Sequence, residues 1–74
     1  MEQEIIKILS QLFDREIKEG ENFSAETEEK WDSFKQIEII MTIEDELGVS
    51  FNPEDIPQLN SLNKIIKKVK ELKC

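Results

Sequence analysis

A serine stands behind an aspartate at Asp32-Ser33-Phe34, where a run of isoleucines begins. Its hydroxyl could act as a nucleophile, as a point of covalent modification, or as the cap of a helix. The chain holds no His and no Tyr. A Ser-His-Asp triad, a histidine general base and a His-ligated metal are therefore excluded within it. Carboxylates are plentiful, but their spacing does not suit acid–base work. Glu38 and Asp45 would share one face of a helix, two turns apart. That face is polar, and nothing on it would desolvate a carboxylate enough to tune its pKa. The acidic stretch from Glu44 to Glu54 lacks the D-x-[DN]-x-[DN]-G alternation of a calcium loop. There is no glycine-rich phosphate loop. No catalytic residue and no metal ligand is expected.

The elements that must hold these residues are helical. Met1 to about Asp14 reads as an amphipathic helix, with Ile5, Ile8, Leu9 and Leu12 at i, i+3, i+4 and i+7. Arg15 to Asp32 is polar and long for a connection. It either contains a helical turn around Ser24 to Glu29 or wraps the surface, pinned by Ile17, Phe23 and Trp31. Ser33 to Leu47 is the strongest helix signal, with Phe34, Ile37, Ile40, Met41 and Leu47 on one broad face that Ile39 and Ile43 extend. Asp32 or Ser33 can cap its start, Ser33 with Gln36 fits a capping box, and Gly48 can stop it in a left-handed conformation. Asn52-Pro53-Glu54-Asp55 is a helix-start signal that Pro57 cuts short. Asn60 or Ser61 caps a last helix along which Leu62, Ile65, Ile66, Val69 and Leu72 recur.

The bulk numbers narrow the function classes. Seventy-four residues suit one domain, residues 1–74, with a compact core and no deep cleft. The net charge of −7 argues against nucleic acid and anionic membrane surfaces, and points to basic protein partners or simply to solubility. The charge is uneven, with sixteen acids against five bases in residues 1–60, and five lysines against Glu71 alone in residues 61–74. Those lysines suit a solvated face and the negative end of a helix dipole. The lone cysteine, Cys74, cannot staple the fold. No apolar run approaches a membrane span and no secretory signal pattern is present, so a cytoplasmic monomer is expected.

At the serine, the sequence resembles the acyl carrier protein family and the wider phosphopantetheine-dependent carrier superfamily. The family pattern is D-S-L at the start of its second helix, then x-x-x-E-L-[VI]-x-x-[LI]-E-E-x-[FL]-G-[VI]. Here the stretch reads Asp32-Ser33-Phe34-Lys35-Gln36-Ile37-Glu38-Ile39-Ile40-Met41-Thr42-Ile43-Glu44-Asp45-Glu46-Leu47-Gly48-Val49. The resemblance implies an all-α fold, a small four-helix bundle of acyl-carrier-protein type with a long first loop and a short third helix. It implies that Ser33 carries 4′-phosphopantetheine, placed there by a phosphopantetheinyl transferase from coenzyme A with Mg²⁺. The distal thiol of that arm would carry an acyl group as a thioester, and the protein would be a substrate of enzymes rather than an enzyme.

Further roles follow from the same resemblance. Glu38, Glu44 and Asp45 would be ionic contacts for basic patches on acyl-transferring or acyl-synthesising partners. Ile37 and Met41 would be apolar contacts near the arm, and Asp32 would help to orient the transferase. Phe34, Ile39, Ile43, Phe51, Ile56, Leu59 and Ile65 would surround a sequestered acyl chain. Read from the residues alone, the acids are an ordinary solvated face and the apolar set is plain core. Three departures stand out: Phe34 for the usual Leu, Lys35 where fatty-acid carriers commonly have an acid, and the lysine-rich last helix. They suggest a specialised carrier for a polyketide, lipopeptide or sugar-modifying pathway. A D-alanyl or peptidyl carrier, and an unmodified acidic interaction module, are the alternative readings.

Overall fold

A computed structural model describes residues 2–73, so Cys74 lies outside the described residues. The described residues form three α-helices: α1 over Glu2–Phe13, α2 over Ser33–Leu47 and α3 over Leu62–Lys73. A single 3-10 turn, Ile56–Gln58, interrupts the second connection. This turn is the short third element, a single turn and not a full α-helix. Asn52-Pro53-Glu54-Asp55 closes a plain turn, with Asp55 N–H on the Asn52 carbonyl at 2.9 Å. Pro57 has no N–H to extend the i−4 ladder, and the segment ends with two i−3 bonds, from Gln58 to Asp55 and from Leu59 to Ile56.

Local chemistry sets the helix ends. α1 stops in a Schellman arrangement: Asp14 is left-handed at φ 52°, and Arg15 N–H bonds to the Ser10 carbonyl at 3.1 Å. Aspartate tolerates that conformation better than most residues do. Gly48 closes α2 at φ 67° and donates to the Glu44 carbonyl. Ser61 rather than Asn60 caps α3, its Oγ accepting from Lys64 N–H at 3.2 Å.

The first connection wraps the surface and pins itself as the sequence suggests. Ile17, Phe23 and Trp31 are all buried. Phe13 meets Phe23 edge-on at 4.9 Å between centroids, and Trp31 completes the aromatic cluster at 5.5 and 5.7 Å. One turn at Ser24–Glu28 bends the chain. Ala25 N–H on the Asn60 carbonyl and Leu62 N–H on the Phe23 carbonyl then stitch it to the start of α3.

Ile5 and Leu9 of α1, Ile39 and Ile43 of α2, and Leu62, Ile65 and Val69 of α3 form the fully enclosed centre. The face assigned to α2 needs correction. Its buried stripe is Ile39, Ile40 and Ile43, whereas Phe34, Ile37 and Met41 are 77%, 56% and 62% exposed. The helix carries two apolar stripes on nearly opposite sides, and packing against α1 and α3 selects the isoleucine one. Leu72 near the end of α3, expected to face inward, is also exposed. Among the described residues, no helix is long and apolar enough to cross a membrane.

Candidate functional site

Ser33 is the first residue of α2, and it is exposed. Its neighbour does the capping: Asp32, in extended conformation, accepts Lys35 N–H on Oδ1 at 2.8 Å. The proposed capping box between Ser33 and Gln36 is not formed. Gln36 turns inward instead. Among the described residues, the Ser33 hydroxyl and the backbone N–H groups of Ser33 and Phe34 enter no hydrogen bond. A free hydroxyl thus sits at the positive end of a helix dipole beside two open donors. Such a setting favours a phosphodiester. The other serines differ. Ser10, Ser24 and Ser61 use their hydroxyls within the fold. Ser50 follows the C-terminus of α2, where the dipole disfavours phosphate.

Lys35 and Gln36 have structural roles that the sequence did not show. Lys35 Nζ donates to the Leu12 carbonyl at 3.1 Å and to Glu38 Oε1 at 2.8 Å, and it lies 5.6 Å from the centre of the Phe13 ring. It ties the start of α2 to the end of α1. Gln36 Oε1 accepts the Trp31 indole N–H at 2.6 Å, while Nε2 donates to the Ile56 and Leu59 carbonyls, each at 2.8 Å. The signal for Gln36 was its register: it precedes Ile39, Ile40 and Ile43 on the inward flank, where a polar group must find partners.

The structure sorts the expected partner residues. Ile37, Met41 and Asp45 are exposed. Glu38 is half-buried and paired with Lys35. Glu44 is half-buried, and its Oε2 accepts Phe51 N–H at 2.8 Å, which holds the second connection against α2. Asp32 is occupied as the cap. Of the residues assigned to an acyl pocket, Ile39, Ile43, Phe51, Leu59 and Ile65 are buried and Ile56 is half-buried. Phe34 is the exception: it projects outward on the flank away from them and joins Ile37 and Met41 in the exposed stripe. Lys68 of α3 sits between Glu71 and Asp55, and its hydrogen bond to Glu71 contributes most to raising its pKa above the ordinary lysine value.

A sequence model of one family, described as the phosphopantetheine attachment site, matches residues 3–69. This chain belongs to that family. Its members carry 4′-phosphopantetheine covalently on a serine, so the chain is a phosphopantetheine-bearing carrier protein. No curated protein and no solved structure gives a significant match.

Proposed function

We propose that the chain is an acyl carrier whose attachment residue is Ser33. The observation that carries this reading is the division of labour at the start of α2. Asp32 caps the helix, which leaves the Ser33 hydroxyl exposed and uncommitted. The arm supplies a distal thiol on which cargo is held as a thioester. The protein's own residues position the attachment point, hold the helix end and present a docking face. A phosphopantetheinyl transferase, using coenzyme A and Mg²⁺, is the first partner. The chain acts as one carrier domain and is a substrate, not a catalyst.

The docking face is the exposed stripe of α2. Phe34, Ile37 and Met41 form an apolar line beginning beside Ser33, with Glu38, Glu44 and Asp45 along its flanks. Large apolar side chains on the surface of a small protein mark contact sites. Acids around them steer basic partners and add little affinity each, which suits a shuttle that must leave again. Lys35 turns its charge onto α1 and Glu38, so the face lacks an acid that fatty-acid carriers commonly present there. This supports dedicated partners in a specialised fatty-acid, polyketide or related pathway. Transfer of phosphopantetheine to the wild type but not to Ser33→Ala, read by intact mass, tests the assignment.

A further inference from the structure

Gln36 lies one helical turn beyond Ser33, and its single amide holds Trp31, α2 and the 3-10 turn together. At the other end of α2, Glu44 holds Phe51. The seam between α2 and the second connection is therefore tied at both ends, and Gln36 makes the tie nearer to Ser33. Beneath the seam lie Ile39, Ile43 and Ile65, each at 0% exposure. A chain tethered at Ser33 cannot reach those side chains until the seam parts, because interior packing leaves no slack.

We propose that Gln36 and Trp31 form a latch that sets the chain length at which cargo on Ser33 passes into the bundle. The inference rests on the carriage proposed above. Opening the latch has a fixed cost, since two backbone carbonyls and an indole N–H lose their partner. The opposing gain grows with the cargo, because each methylene moved from water into the interior adds a similar increment. A fixed cost set against a growing gain makes a threshold. Short or polar cargo stays in solvent. Longer chains part the seam and break the bonds from Gln36 to the Ile56 and Leu59 carbonyls, which frees the amide that accepts from the Trp31 indole. Trp31 is the only tryptophan of the chain, so its emission reports the latch.

The test loads the holo-protein with straight-chain acyl groups of increasing length, starting from acetyl, and follows thioester cleavage by hydroxylamine. Wild type is compared with Gln36→Ala and with Gln36→Met, which keeps the side-chain length and so guards against loss of the fold. In the wild type, cleavage slows beyond one length, and Trp31 emission shifts at that same length. Both variants begin to slow at a shorter chain, with cleavage about tenfold slower than wild type at intermediate lengths. Their acetyl forms match the wild type. A purely structural role for Gln36 would lower the stability of the variants and leave the threshold where it was. Superimposable profiles, or no length dependence in any of the proteins, overturn the latch. Failure of carriage itself is distinct: intact mass then shows no phosphopantetheine, no thioester forms, and the latch falls with it.

Discussion

Lys35 Nζ and the Leu12 carbonyl are 3.1 Å apart, which places a cation on one of the open carbonyls at the end of α1. The contact joins the end of one helix to the start of the next, across the long first connection. Favourable interaction with the helix dipole and the adjacent Phe13 ring adds to it. Lys35→Ala should lower the unfolding free energy by about 1 kcal/mol. Urea denaturation checks this, and a midpoint equal to the wild type would show that the lysine is idle.

Asp32 and Ser33 separate capping from modification. Asp32→Ala removes the acceptor for Lys35 N–H and should cost about 1 kcal/mol. Ser33→Ala removes a hydroxyl with no partner in the fold and should leave the melting temperature unchanged. If the two variants lose equal stability, Ser33 shares in the cap.

The two stripes of α2 predict opposite outcomes for neighbouring isoleucines. Ile40→Ala opens a cavity in the core and should destabilise by about 2–4 kcal/mol. Ile37→Ala should stay within about 0.5 kcal/mol, as exposed substitutions do. Its effect belongs in partner kinetics instead, as a slower transfer of phosphopantetheine at unchanged stability. A large loss of stability in Ile37→Ala would return that residue to the core.

The acids of α2 divide in the same way. Glu38→Gln with Asp45→Asn should slow charging by a transferase, with an effect that shrinks as ionic strength rises, while helicity is kept. Glu44 has a structural duty beside its place on the docking face, so Glu44→Ala should also leave Phe51 N–H without its acceptor and destabilise by about 1–3 kcal/mol. Salt titration of the charging rate and circular dichroism of each variant distinguish the two classes. A salt-independent loss of rate in the double variant would remove these acids from recognition.

The helices were legible where short-range chemistry decides. Asp32 and Gly48 bound α2 as their types demand, and Ser61 starts α3. The end of α1 near Asp14 was legible from the fading periodicity, although its left-handed residue is an aspartate and not a glycine. The inward flank of α2 was not legible, since Phe34, Ile37 and Met41 form as good a helical stripe as Ile39, Ile40 and Ile43. Only the positions of α1 and α3 choose between them. Gln36 misled for a related reason. Its spacing from Ser33 fits a capping box, but three tertiary partners outcompete that local bond. At the candidate site, the serine and its acidic-apolar helix stood out in the sequence, whereas the structural duties of Lys35, Glu38 and Glu44 appear only once the connections are packed.

The most direct test of the account is the intact mass of the protein after incubation with coenzyme A, Mg²⁺ and a promiscuous phosphopantetheinyl transferase, with Ser33→Ala alongside. The wild type should gain one phosphopantetheine and the variant none. A gain on both proteins, or none on the wild type while a control carrier is modified in the same mixture, would contradict it.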